Sequence, residues 1–149
     1  MTERSPMKVL CELAEQTLSE TTNQLGQVRQ VHANAAAQLE QLINYEQEYG
    51  RQLQTEMSAS GMRVVDLLSH QFFISSLSRV VKQHTGHVAA CQQSVDHALD
   101  RWKNDKRRLN AFETLVNRAD LVQQTKENRL EQKLMDEFAQ RASLRNSGI

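Results

Sequence analysis

The sequence predicts an all-α protein: a long antiparallel two-helix coiled-coil hairpin, forming a single domain over residues 1–149. Only 39% of the residues are hydrophobic, 5% are aromatic and one is proline, which suits continuous helix better than a globular core. Two long segments space their apolar residues alternately three and four apart, as in a coiled-coil seam. Between them, Met57-Ser58-Ala59-Ser60-Gly61 concentrates turn-forming residues, so we expect the chain to reverse there.

The first helix is predicted from about residue 6 to about residue 57. Ser5 can cap free backbone amides, and Pro6 is tolerated at the first helical position. Eleven of the fourteen seam positions are apolar, and the predicted seam is Met7, Cys11, Ala14, Leu18, Thr21, Leu25, Val28, His32, Ala35, Leu39, Leu42, Glu46, Tyr49 and Leu53. At about 1.5 Å per residue, such a helix is roughly 75 Å long.

The turn is predicted at about residues 58–62, and the second helix from about 71 to 143. Residues 62–70 are ambiguous, because they suit either the start of the second helix or a short cap over the hairpin end. Twelve of the fourteen seam positions of the second helix are apolar, and they are Ile74, Leu77, Val81, His84, Val88, Cys91, Val95, Ala98, Trp102, Asp105, Leu109, Phe112, Val116 and Ala119.

Beyond Ala119 the seam is lost, and apolar residues resume out of phase at Leu130, Leu134 and Phe138. A turn between about residues 60 and 65 leaves the chain beyond roughly residue 125 without a first-helix partner. An isolated amphipathic helix of this size is marginally stable in water. The segment is therefore expected either to bind a partner or to pair with a second copy.

The charges suit antiparallel helices, because residues 1–60 carry 8 acidic and 4 basic side chains whereas residues 61–149 carry 10 acidic and 14 basic ones. The densest basic cluster is Arg101, Lys103, Lys106, Arg107 and Arg108. It reads as a solvated face or as a site for an acidic protein. Nucleic-acid binding is not predicted, because Trp102, the aromatic residue within this cluster, is a seam position. No membrane span or signal peptide is recognised, which predicts a cytoplasmic protein.

Few residues suggest chemistry at a site. Cys11 and Cys91 lie on seam positions too far apart for a disulfide and are expected to be small core residues. His84 and Glu46 interrupt the seam, and they either form one polar layer or lean out to water. His84 and His87 share a helix face, but no further ligand supports them, so neither a metal site nor a cofactor is predicted. Without a phosphate loop, nucleophile elbow or convergent carboxylates, the sequence does not predict an enzyme.

Aromatic residues concentrate near the turn, at Tyr45, Tyr49, Phe72 and Phe73. A two-helix seam cannot cover so many rings, and clustered exposed aromatic side chains usually mark a protein contact. The alternative is that residues 62–69 fold over them.

The stretch Glu127 to Ala142, ENRLEQKLMDEFAQRA, resembles the C-terminal signature of the FliJ family, small coiled-coil proteins of the bacterial flagellar type III export apparatus. Nearly the whole chain shares the resemblance, through Leu42-Ile43-Asn44-Tyr45 with Glu48-Tyr49, through Met57-Ser58-Ala59, and from Gln71 through His84. The string from Met135 to Ala142 is the more specific part, because it does not follow a heptad pattern.

The resemblance implies a hairpin similar to the coiled coil of the gamma subunit of rotary ATP synthases. Such a protein would insert into the hexameric export ATPase FliI, whose regulator is FliH, and promote its assembly and activity. It would also contact the export-gate protein FlhA, take part in recycling export chaperones, and so serve flagellum biogenesis, motility and chemotaxis. It would be cytoplasmic and peripheral to the inner membrane, associated with it only through the export apparatus.

Two surfaces carry over from the family. The resemblance implies an FlhA-binding surface, here called the export-gate set, made of Gln38, Leu42, Tyr45, Tyr49, Phe73, Leu77, Val80 and His84. Val80 departs from relatives that have Ala there. The end that faces the ATPase, here called the ring-end set, comprises Leu130, Met135, Phe138 and Arg141. Two alternatives remain open: a general cytoplasmic export chaperone for flagellar substrates, or the equivalent stalk of a virulence type III secretion system.

Overall fold

A computed structural model describes residues 5–148, which form two antiparallel α-helices: α1 (Pro6–Ser60) and α2 (Val64–Ser147). No strand occurs in this part of the chain, so the predicted all-α hairpin is confirmed. Its residues group into two compact units. The turn-side unit is Ser19–Asn104, and the terminal unit combines the chain up to Leu18 with the chain from Asp105 onwards. Neither helix, over the described residues, has a stretch long and apolar enough to cross a membrane.

Helix α1 begins where the sequence predicts. The carbonyl oxygen of Ser5 accepts hydrogen bonds from the backbone amides of Lys8 and Val9, at 3.0 and 3.3 Å. Pro6 is the first helical residue, a position where its missing amide proton costs nothing because that proton would have no helical partner. Ser5 therefore anchors the first turn of α1.

The turn is shorter than predicted and lies later in the chain. Helix α1 extends past residue 57 to Ser60, and the hydroxyls of Ser58 and Ser60 donate to carbonyl oxygens four residues earlier, at 2.9 and 3.4 Å, instead of bonding within a turn. Gly61 then adopts a positive φ of 66°, the left-handed conformation that commonly ends helices. Between the two helices, only residues 61–63 are non-helical.

Residues 64–70, left ambiguous by the sequence, are the first turns of α2. The carbonyl oxygen of Arg63 accepts the backbone amide of Leu67 at 3.0 Å, which fixes the start of the helix. Leu67 and His70 are half-buried and continue the seam spacing back from Ile74. The other large apolar side chains here are exposed, namely Val64, Val65 and Leu68. The alternative of a cap over the aromatic residues is therefore wrong.

The predicted seam matches the observed burial. Every predicted seam residue of α1 is buried or half-buried, and on α2 the sole departure is Ala119, which is exposed. In the turn-side unit the tightest packing joins Leu25, Val95 and Ala98, with Trp102 against them. The indole Nε1 of Trp102 also donates a hydrogen bond to Oγ1 of Thr22, at 3.0 Å.

In the terminal unit, Ala14 and Leu109 are buried, and Val116 is the last half-buried residue of α2. All residues from 117 to 148 are exposed, so packing ends earlier than the predicted limit near residue 125. The reason is the register: Cys11 lies beside Glu113, which leaves the residues after Val116 beyond the start of α1.

Candidate protein-interaction surfaces

The export-gate set forms two matching rows on the turn-side unit. Both helices supply residues spaced four, three and four apart, which are Gln38, Leu42, Tyr45 and Tyr49 on α1 and Phe73, Leu77, Val80 and His84 on α2. The Tyr49 and Phe73 rings are in contact, with centroids 4.8 Å apart. Counting along antiparallel helices from this pair places Tyr45 level with Leu77, Leu42 with Val80, and Gln38 with His84. The register thus assembles the eight residues into one surface.

Tyr49 is the centre of an aromatic cluster in this surface. Its ring lies 6.4 Å from Tyr45, 4.8 Å from Phe73 and 5.8 Å from His70, always at a tilt. Tilted rings at such distances attract each other beyond the effect of burial. The Tyr49 hydroxyl is also hydrogen-bonded to Nδ1 of His70. His70 is absent from the sequence-based set, although its seam spacing from Ile74 was a signal that could have found it.

Exposure divides the surface into solvent-accessible residues and buried ones. Tyr45 is 53% exposed, and Phe73 and Val80 are also open to solvent. Leu77 is only 9% exposed, so it lies in the seam and is not accessible to a partner. Phe72 is 76% exposed but lies outside the cluster, because adjacent helical residues point about 100° apart. The expectation that some of the four rings stay exposed is met by Tyr45, Phe72 and Phe73, whereas the ring contacts of Tyr49 include His70, which the sequence-based set lacked.

His84 lies at the end of this surface farther from the turn, and its side chain contacts the backbone of α1. Its Nε2 donates a hydrogen bond to the carbonyl oxygen of Ala35 at 3.0 Å, and the ring is half-buried. The predicted layer of His84 with Glu46 is wrong, because Ala35 lies about three turns before Glu46 on α1. The neighbouring His87 directs Nε2 towards the Sγ atom of buried Cys91, at 3.7 Å. Cys91 is a core residue, as its seam position predicts.

In the terminal unit, potential metal ligands come together around Cys11. Its Sγ and carboxylate oxygens of Glu15 and Glu113 all lie within 4.8 Å of one another. Partial burial, then the negative charges of Glu15, Glu113 and Glu12, raises the pKa of the Cys11 thiol. The two carboxylates of the group are exposed, and exposed acidic groups often gather without a metal, so the geometry alone assigns no ion. Sequence reasoning missed this group because Glu113 meets Cys11 only in the observed register.

The ring-end set lies in the exposed last part of α2. Met135 and Phe138 line a shallow groove of about 420 Å³, whose full lining is Glu131, Leu134, Met135, Phe138, Ala139 and Ala142. Leu130 and Arg141 lie outside this lining but are likewise exposed. Leu134 and Ala142 were not in the predicted set, although each lies four residues from Phe138 and therefore on the same helix face; Ala139, also missed, borders that face.

Comparison with known proteins identifies the family. The family model described as the flagellar FliJ protein matches residues 3–148. The chain is 39% identical over 145 residues to the flagellar FliJ protein of Escherichia coli (strain K12), covering 97% of this chain and 98% of that relative. It is 37% identical over 145 residues to the flagellar FliJ protein of Salmonella typhi, with the same coverage. The chain belongs to the flagellar FliJ protein family.

Proposed function

We propose that this chain is a stalk-like component of the flagellar protein export apparatus. Its terminal unit binds the hexameric ring of the export ATPase FliI, which acts with its regulator FliH, and promotes ring assembly and ATP hydrolysis. Its turn-side unit binds the export-gate protein FlhA, and export chaperones dock on it and are recycled. The protein works in the cytoplasm and reaches the inner membrane only through the apparatus. It resembles the coiled coil of the rotary ATP synthase gamma subunit and performs no catalysis itself.

The observation that carries the proposal is that each unit has its own solvent-exposed apolar surface, and each includes residues that the resemblance to the family implies for binding. Residues 117–148 remain exposed although they include the large apolar residues Leu134, Met135 and Phe138. A single helix of this size is marginally stable in water, and an exposed apolar patch usually marks a contact with another protein. A single helix with a wide apolar face can enter a pore formed by several subunits. This supports the assignment of the ring contact to the terminal unit.

The gate contact is supported by the cluster around Tyr49. Its rings are fixed against one another before any partner binds, so little side-chain freedom is lost on binding. Aromatic anchors surrounded by supporting residues are typical hot spots of protein interfaces. Tyr45 and Phe73 present the exposed part of the cluster, whereas the neighbouring seam residue Leu77 is buried.

The ring contact is tested by ATP hydrolysis of purified export ATPase, with the full chain and with a variant that ends at Arg129. We expect the full chain to raise hydrolysis at less than one copy per ATPase subunit, and the truncated variant to have lost this effect. Equal stimulation by both would refute the placement of the contact, and no stimulation at any ratio would refute the stalk function. The alternative of a general export chaperone would then be favoured, with the groove at Met135 and Phe138 holding unfolded substrates.

The gate contact is tested by the affinity of the full chain for the purified cytoplasmic part of FlhA. Tyr45→Ala removes an exposed ring of the cluster, and loss of a hot-spot ring weakens binding about thirtyfold. Phe72→Ala is the matched control, because it removes a more exposed ring from the same end of the unit but outside the cluster. Equal effects of the two substitutions would refute the assignment. Circular dichroism confirms that each variant remains helical.

A further inference from the structure

The exposed end of α2 carries a symmetric pattern. Leu134 is its centre, Leu130 and Phe138 lie four residues to either side, and Glu127 and Arg141 lie seven residues to either side. Residues separated by three, four or seven positions share one face of a helix. All five are exposed, with Leu134 at 57%. We call this face the symmetric stripe.

We infer that, in the absence of the ATPase, the symmetric stripe pairs with the same stripe of a second copy of this chain, in antiparallel orientation. Leu134 then packs against Leu134 of the second copy, on the two-fold axis. Leu130 lies level with Phe138 of the second copy, and Glu127 lies level with Arg141 of the second copy. The pairing is isologous, so every contact away from the axis occurs twice.

The charged residues of the stripe favour a second copy of this chain as the partner, and they favour the antiparallel orientation. Antiparallel pairing places each Glu127 carboxylate beside an Arg141 guanidinium, at both ends of the apolar centre. Parallel pairing would place Glu127 beside Glu127 and Arg141 beside Arg141, which repel. Glu127 also accepts a hydrogen bond from the side-chain amide of Gln123 in its own helix, at 3.2 Å, which holds the carboxylate on the helix surface. The nearer mirror positions, Glu131 and Glu137, carry like charges on the two edges of the stripe, about 60° from Leu134, in either orientation, so Glu127 and Arg141 decide the direction.

The size of the stripe predicts a weak and reversible dimer. Each copy contributes three large apolar side chains, which places the interface below the size of stable complexes. Pairing still removes from water a face that α1 does not reach, since burial on α2 ends at Val116. The inference does not rest on the proposed function, because pairing is measured on this chain alone. If both hold, self-pairing covers Leu130 and Phe138 until the ring displaces it.

Sedimentation equilibrium of the full chain tests the pairing, from about 1 µM to about 1 mM, the range in which small interfaces associate. We expect a monomer–dimer equilibrium. Glu127→Arg alone, or Arg141→Glu alone, turns two attractions into two repulsions and raises the dissociation constant by about tenfold or more. The double variant E127R/R141E exchanges the charges and restores the original affinity. Asp136→Arg is the matched control, because residue 136 is about 200° from Leu134 around the helix, and it leaves the affinity unchanged.

Each outcome decides the matter. A monomer at every concentration overturns the inference and leaves the stripe to another protein. A dimer that responds equally to Asp136→Arg overturns the location of the contact. Single variants that weaken the dimer without rescue in the double variant overturn the antiparallel register. Circular dichroism on each variant separates these results from loss of helix, because Glu127 and Arg141 are exposed and neither supports the seam.

Discussion

Gly61 permits a sharp test of the turn, because substitution there and at a second glycine should change stability in opposite directions. Gly61 has a φ of +66°, and a Cβ atom built there meets no other heavy atom within 4 Å. Gly86 is helical, and its added Cβ likewise meets nothing within 4 Å. Neither alanine causes a steric clash, so the backbone conformation alone separates the two variants.

The magnitudes follow from the backbone terms. A side chain in the left-handed region costs about 1–2 kcal/mol. Replacing glycine by alanine also lowers the conformational entropy of the unfolded chain. This stabilises the folded state by about 0.4–1 kcal/mol and offsets part of the cost. Gly61→Ala should therefore lower the free energy of unfolding by roughly 0.5–1 kcal/mol. Gly86→Ala should raise it by about 0.5–1 kcal/mol, the usual helical advantage of alanine over glycine.

Urea unfolding followed by circular dichroism at the helical band measures both variants against the unmodified chain. For a chain of this size, a change of 1 kcal/mol corresponds to a shift of about 2–4 °C in Tm, so thermal unfolding provides a second reading. A Gly61→Ala variant that is as stable as the original, or more stable, would show that residue 61 does not hold the left-handed turn. A destabilising Gly86→Ala would show that this part of α2 is packed more closely than its open surroundings indicate.

Two further predictions concern the seam of each unit. Trp102→Phe removes the indole donor to Thr22 and part of the packing on Leu25, Val95 and Ala98. It should lower the free energy of unfolding, measured in urea, by about 1–2 kcal/mol. An unchanged midpoint of urea unfolding would show that the hydrogen bond and the packing add nothing. In the terminal unit the pKa of the Cys11 thiol is raised, so less of the reactive thiolate is present at a given pH. Glu113→Gln removes one of the responsible charges, lowers that pKa, and should speed alkylation by iodoacetamide at pH near 8 on a Cys91→Ser background. A slower or equal rate would contradict the electrostatic cause.

The fold was predictable because the two seams are long and their spacing is regular. Positions such as Leu25, Ala35 and Val95 follow from periodicity alone, and each is buried. The turn was harder to locate, since Ser58 and Ser60 suit a turn by composition yet bond back to α1. Local sequence preference cannot distinguish a turn from a continued helix when the flanking residues strongly favour helix.

The contacts across the helices were less predictable, because they depend on the register. A shift of a few residues in the turn changes which residues of α1 and α2 face each other. In the observed register, His84 contacts Ala35 and not Glu46, and Glu113 lies beside Cys11. His70 was missed for the same reason, since its contact with Tyr49 exists only if α2 begins before residue 70. Local pattern predicts which residues lie on the seam, whereas pairing requires the geometry of the turn.

A two-helix fold determines where its binding surfaces can be. A single seam covers roughly two positions in every seven, so a side chain beside the seam, such as Tyr45, stays accessible even when its neighbour Tyr49 is packed. Helix α1 has 55 residues and α2 has 84, a difference of 29 (84 minus 55), so a long part of α2 cannot be covered by α1. Apolar residues in that part, such as Leu134, must pack against another chain or remain exposed to solvent. The ring-end set and the symmetric stripe both fall there because helix length leaves that face open, so under the two proposals above the ATPase and a second copy would compete for the same residues.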